Sequence, residues 1–171
     1  ASAQQVADER MRAHWQGKDG ALEFDGHGDN LCTAQDYGDF ELYVDWKITP
    51  AADSGIYLRG TPQVQVWDTE NEAAWKHGAD KGSGGLWNNQ QHERFPLVKA
   101  DRPVGEWNTM YVKMVGDRVT VKLNDQLVVD NVVLENYWAP GQPIAATGSI
   151  ELQNHGNKLW FRNLYVRELA R

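Results

Sequence analysis

Phe40-Glu41-Leu42-Tyr43-Val44-Asp45-Trp46-Lys47-Ile48 is the stretch that decides the fold. Phe40, Leu42, Val44, Trp46 and Ile48 occupy alternate positions, with Glu41, Asp45 and Lys47 between them. A period of two sends the two sets to opposite faces of an extended chain, so the segment predicts a half-buried antiparallel strand. The pattern returns downstream between Trp107 and Val132. Met110, Val112 and Met114 alternate with Thr109, Tyr111 and Lys113, the Gly116-Asp117 turn leads to Val119, Val121 and Leu123, and Asn124-Asp125 leads into Leu127-Val128-Val129. Asn and Asp tolerate positive φ, so Asn124-Asp125 predicts a two-residue hairpin turn and the whole unit a three-stranded meander. Residues 149–153 and 160–167 carry further strands. Upstream, only Ala3 to Trp15 reads as helix, with Val6, Ala7, Met11 and Ala13 set among charges and no Gly or Pro. The division expected is a helical lead-in over residues 1–15 and one domain over 16–171. Its fold class is all-β, a jelly-roll sandwich of two antiparallel sheets.

The composition narrows the partners. The chain has 171 residues, 41% of them hydrophobic, which is enough for one domain with a substantial core. Its net charge of −7 argues against a nucleic-acid or anionic-membrane partner, because phosphate binding needs a cationic surface. No apolar run approaches a membrane span, and the opening Ala1-Ser2-Ala3-Gln4-Gln5 lacks the regions of a signal peptide. Cys32 is the single cysteine, and its place in Leu31-Cys32-Thr33 reads as a small buried hydrophobe in a strand rather than a catalytic thiol. The 8 Trp and 16 Gly suit a β-rich protein with many turns and with aromatic surface to bury or to offer to a ligand.

The polar face of one segment carries the chemistry. In the run from Ser54 to Asp68, placing Ile56, Leu58, Val64 and Val66 in the core projects Tyr57, Arg59, Gln63, Gln65 and Trp67 from the opposite face. An ordinary solvated face would carry Lys, Glu and Thr; two amides, a guanidinium and two rings instead suit directional hydrogen bonding and stacking on a polar ligand. Ile150 to His155 alternates likewise, with Glu151, Gln153 and His155 outward, so both strands in one concave sheet would line one groove. The plainer reading of each amide is surface decoration. Asp68 to Pro103, rich in Gly, Asn, Gln, His and Trp, predicts a long functional loop over that face with a short strand near Leu86-Trp87. Trp67, Trp75 and Trp87 are the indoles best placed to stack on a sugar. Gly82-Ser83-Gly84-Gly85 reads as a turn rather than a phosphate cradle. Asp68, Glu70 and Glu72 cluster, but without the Glu-x-Asp-x-x-Glu spacing of the β-sandwich glucanases, and a retaining pair needs carboxyl groups about 5–5.5 Å apart. A divalent cation held by Asp68, Glu151 or His155 stays open as a cofactor, with no diagnostic ligand spacing.

These residues also carry a resemblance that spans nearly the whole chain. Tyr37-Gly38-Asp39-Phe40-Glu41-Leu42, Asp45-Trp46-Lys47, Ser54 to Arg59, Gln63 to Asp68, Gly105-Glu106-Trp107-Asn108-Thr109, and Leu152 to Gly156 through Trp160 to Asn163 together resemble the bacterial 3-keto-disaccharide hydrolase domain family. The resemblance implies a concanavalin A-like jelly roll and a saccharide or glycoside substrate oxidised at C3. It also implies a periplasmic or secreted piece of a larger protein whose leader has been removed. Its members commonly carry Glu where this chain has Gln63, and glutamine cannot act as a base, so the carry-over rests on Arg59, Gln65, Asp68 and His155. The implied chemistry is removal of the C2 proton by His155 or Asp68, with Arg59 or a cation stabilising the enediolate. Gln63, Gln65 and Gln153 would hold hydroxyls, with Tyr57, Trp67, Trp87 and Glu151 around them. Two other readings remain beside it: a noncatalytic carbohydrate-binding module on the same scaffold, and a protein-interaction domain.

Overall fold

A computed structural model describes residues 2–170. The chain runs α1 (Ala3–His14), β1 (Trp15–Lys18), β2 (Ala21–Phe24), β3 (Leu31–Cys32), β4 (Phe40–Ile48), β5 (Asp53–Leu58) and β6 (Thr61–Trp67). It continues through α2 (Glu72–Trp75) and a 3-10 turn (Ala79–Lys81) to β7 (Asn108–Val115), β8 (Arg118–Leu123), β9 (Gln126–Val133), β10 (Glu151–Leu152) and β11 (Leu159–Glu168). Among the described residues the strands make two antiparallel sheets, one in the order β1-β2-β11-β4-β7-β8-β9 and one in the order β3-β10-β5-β6.

The alternation that predicts β4 also sets how the sheets pack. Phe40, Leu42, Val44, Trp46 and Ile48 are all buried, and Met110, Val112 and Met114 of β7 lie beside them in register. Val119, Val121 and Leu123 of β8 and Leu159 and Phe161 of β11 extend the same inner face, and Ile56, Leu58, Val64, Val66 and Leu152 of the smaller sheet close the core. Trp15 stacks on Phe24 with ring centroids 4.1 Å apart, so Trp15 opens β1 as a core residue and the helical lead-in stops at His14. Ser2 and Gln5 form a capping box that starts α1. Asn124 and Asp125 both take positive φ, as their hairpin turn requires. Between β9 and β10 the chain passes through Tyr137 and Trp138 without a strand, and β10 is then inserted between β3 and β5.

Two expectations change here. All seven residues of β6 are buried, although alternation predicts one open face. The cause is the long loop, which adds Leu86 as a bridge to Val64 and exchanges main-chain bonds between Gln65 and Gly84 and Gly85. Cys32 is exposed on the edge strand β3 rather than in the core. There it borders a groove beneath α1, where partial burial and the Glu151 carboxylate push its thiol up to about 11, too high for an efficient nucleophile.

Candidate functional site

On the outer face of the smaller sheet lies a cleft of about 360 Å³, lined by Asp53, Tyr57, Pro62, Gln63, Gln65, Trp67, His77, Trp87, Asn88, Tyr137, Trp138, Gln153 and His155. β10 pairs with β5 in the register Glu151 to Tyr57 and Leu152 to Ile56, and Gln153 N–H donates to the Gly55 carbonyl at 2.9 Å. This pairing brings the two polar runs together as the sequence predicts. Its further extension carries the chain into a turn that holds His155. Asn154 there accepts from Gly156 N–H and donates to the Gly28 carbonyl, while Asn157 accepts from Asp53 N–H.

The floor of the cleft is a directed chain of amides. Gln65 donates through Nε2 to Asp53 Oδ1 at 2.6 Å and to the Ser54 carbonyl, which turns its own carbonyl oxygen toward Gln63. Gln63 must then present its amino group to Gln65, at 2.5 Å, and its Oε1 becomes the free end. That oxygen, Asn88 Oδ1 and Gln153 Oε1 are buried without a protein partner among the described residues, and all three residues line this cleft. Buried acceptors left unpaired are costly, so the three oxygens are acceptor positions open to the O–H donors of a molecule entering the cleft. Gly55 makes the arrangement fit, since a Cβ there would stand 2.8 Å from Gln63 Cδ.

Asp53 and His155 are the titratable pair. His155 Nδ1 lies 3.9 Å from Asp53 Oδ2. Burial pushes the Asp53 carboxyl above its ordinary value, opposed by His155, by the Gln65 hydrogen bond, by Ser54 N–H and by His77. Its side chain is 37% exposed, the open part facing the cleft, while the surrounding walls dehydrate the rest. Tyr57 accepts from Gln153 at 3.3 Å, and burial raises its pKa, keeping the phenol protonated with its own O–H available to a ligand. Indoles and a phenol form the walls. Trp67 is almost fully buried and donates to the Gly82 carbonyl. Trp87 packs edge-on to it and donates to the His77 carbonyl, and exposed Tyr137 and Trp138 stand at the mouth in a T-shaped pair.

The site therefore gathers Tyr57, Gln63, Gln65, Trp67, Trp87, Gln153 and His155 from the residues singled out in the sequence. Arg59, Asp68 and Glu151 fall outside its lining. Arg59 is not on a strand face: Arg59 and Gly60 form the β5–β6 turn with φ of 53° and 70°, and its side chain is buried against Asp39 at 2.8 Å and the Gly38 carbonyl. A guanidinium so held is structural and does not reach a ligand in the cleft. Asp68 follows β6 and caps turns, accepting from Ala51 N–H and Glu70 N–H with its two oxygens. Glu151 accepts from Asn30 and Ser149. Hence Asp68, Glu151 and His155 do not converge as cation ligands, and among the described residues no three His, Cys, Asp or Glu side chains cluster to hold a metal. Trp75 also lies outside the cleft, donating to the Thr69 carbonyl.

Asp53 is the principal residue that sequence reasoning missed, although stepping back by two from Tyr57 through Gly55 reaches it on the same face. Tyr137, Trp138, His77 and Asn88 reach the cleft from loops, where no periodicity marks them.

Residues 3–167 match the 3-keto-alpha-glucoside-1,2-lyase-like domain. A 3-keto-disaccharide hydrolase from Bacteroides thetaiotaomicron is 25% identical, over 94% of this chain and 72% of its own length. A crystal structure described as a putative glycosyl hydrolase, from Parabacteroides distasonis, superposes with a TM-score of 0.75 at 26% identity, covering 92% of this chain and 91% of that one. A carbohydrate-binding module from Bacillus subtilis shares the fold, with a TM-score of 0.56 at 13% identity over 90% of this chain and 91% of its own. On the match across nearly its whole length, the chain belongs to the 3-keto-alpha-glucoside-1,2-lyase-like domain family.

Proposed function

We propose that the cleft binds a glycoside or disaccharide whose sugar is oxidised at C3 and cleaves its glycosidic bond by elimination. A C3 ketone acidifies the C2 proton. His155 removes that proton, the C2–H electron pair passes into an enediolate, and its collapse expels the aglycone oxygen from C1, which takes up a proton. Water added across the resulting C1–C2 double bond completes net hydrolysis; without that addition the product is the enone and the reaction is a lyase reaction.

The observation that carries this reading is the Asp53–His155 pair set beside three unpartnered amide oxygens in one cleft. Imidazole has an ordinary pKa of about 6.5, suited to proton transfer near neutrality. Asp53 stabilises the imidazolium that forms, and this cleft-facing carboxylate takes the place that Asp68 cannot fill. The Tyr57 O–H supplies a donor for the developing enediolate oxygen in place of Arg59. Gln63, Asn88 and Gln153 accept sugar hydroxyls, and Tyr137 and Trp138 offer stacking surface at the mouth. Delivery of the protein to the periplasm or beyond belongs to the same proposal.

The test incubates the protein with a 3-keto-disaccharide beside its unoxidised parent, with and without a chelator, following released sugar and enone absorbance together. Cleavage of the keto sugar alone is expected, lost in His155→Ala by a factor of about 10²–10⁴, the usual worth of a positioned base. Wild-type turnover in His155→Ala would remove His155 from the role, and loss of activity with the chelator would add a metal ion to the site. A second reading, a noncatalytic carbohydrate-binding module, is favoured by one feature, a floor made of neutral amides at Gln63 and Gln65. Saturable binding of sugars without any cleavage would select it.

A further inference from the structure

The seven-stranded sheet, on the other layer of the sandwich, carries its own groove of about 490 Å³. Cross-strand register places Glu23, Trp160 and Lys47 side by side on β2, β11 and β4, and Trp107 borders the same groove just before β7. Lys47 Nζ sits 4.5 Å from the centre of the Trp160 ring and 5.0 Å from that of Trp107, so an ammonium is held between two half-buried indoles, which also carry Arg162 at 4.1 Å over Trp107 and Lys158 Nζ at 5.2 Å over Trp160.

The charge pattern of this face is uneven. Arg162 pairs with Asp45, Arg167 with Glu41 and Lys158 with Glu23. The Glu23 carboxylate also accepts from Trp160 Nε1 at 2.7 Å. Among the described residues no carboxylate pairs with Lys47. An ammonium fixed between aromatic walls, reachable from an open groove and without a paired carboxylate among the described residues, matches an anionic ligand. Lys18 and Asp19, at the β1–β2 turn, line the groove as well. Among the described residues the cleft on the smaller sheet has no Lys or Arg in its lining, so the two grooves differ in charge.

We propose that this groove is a second saccharide-binding site, independent of the cleft, that takes a uronate sugar with its carboxylate on Lys47 and its ring beside Trp107 and Trp160. A module with two such sites on opposite faces can hold an acidic polysaccharide while the cleft works on a different sugar, gaining effective concentration without new contacts at the cleft.

The experiment titrates ¹⁵N-labelled protein with digalacturonate and with its carboxyl-reduced neutral counterpart, reading indole N–H signals. The expected result is saturable movement of the Trp107 and Trp160 signals with digalacturonate and none at Trp87 and Trp138. Affinity should fall about tenfold or more on reduction of the carboxylates, and likewise in Lys47→Gln, the worth of one charged hydrogen bond. Equal response to the neutral sugar overturns the proposal. So does unchanged affinity in folded Lys47→Gln, or stillness of both signals at millimolar sugar. The reduced-sugar arm uses the unaltered protein and does not depend on the variant folding, and none of these readouts depends on the activity proposed for the cleft.

Discussion

Asp53 illustrates what a binding site costs its own fold. Burial pushes its carboxyl above its ordinary value, so the charged form is less favourable in the folded state than in the unfolded chain. A group whose pKa rises on folding contributes stability at low pH, and that contribution is lost as pH rises through the folded value. Asp53→Asn should therefore raise the melting temperature at neutral pH while depressing turnover, checked by thermal unfolding and keto-sugar cleavage on one preparation. Gly55 is the companion case, because its missing side chain leaves room for the Gln63 amide. Gly55→Ala should keep the fold, displace that amide and weaken saccharide affinity about threefold to tenfold, the worth of one hydrogen bond, as titration calorimetry would show. At this scale the sequence was readable for Gln63 and Gln65, which lie inside β6 and reach the cleft as their alternation implies, whereas Gln153 and His155 reach it from beyond β10 and Glu151, inside β10, does not. Alternation carried through Leu58-Arg59-Gly60-Thr61 misplaces Arg59, because Gly60 marks the turn that takes it off the strand and into its pair with Asp39.

Among the elements, the long loop between β6 and β7 does most to shape the cleft, since it brings His77, Trp87 and Asn88 to the wall. It is fastened by Glu135, just beyond β9. Glu135 accepts from Gln90 N–H at 2.9 Å, from Gln91 N–H and His92 N–H at 2.7 Å each, and contacts His92 Nδ1 at 3.0 Å. Burial alone would raise its pKa, but the three main-chain donors and His92 outweigh it and lower the value from 4.5 to about 2. The sign follows: the clamp's contribution is complete above the ordinary value of 4.5 and is lost as pH falls toward about 2. Hydrogen exchange at Gln90 to His92 should accelerate across that window ahead of the β7 amides. In Glu135→Ala it should do so already at neutral pH, with weaker sugar binding. Protection unchanged in that variant would show that other contacts hold the loop. Strands β4, β7 and β8 were legible because each buries one strict alternating apolar set, and β9 because of the Asn124-Asp125 turn before it, although it buries the adjacent Val128 and Val129. β1 and β2 were not, being four residues each with little buried surface to impose a pattern.

Across the whole molecule, the two sheets divide the labour. Their inner faces form one apolar core, from Phe40 and Trp46 on one side to Ile56 and Leu152 on the other. Their outer faces carry different chemistry, acceptor-rich at the cleft and cationic between indoles on the larger sheet. Sandwich architecture could be inferred from strand periodicity alone. The mouth of the cleft could not, because Tyr137 and Trp138 lie in a connection whose path depends on β10 entering between β3 and β5. The proposed cleavage turns on one proton, which is probed by the rate of cleavage of a 3-keto-disaccharide carrying deuterium at C2, compared with the same sugar carrying hydrogen. The proposed elimination predicts slower cleavage of the deuterated sugar and loss of the C2 label to solvent. Equal rates with the C2 label retained in the released sugar would contradict it.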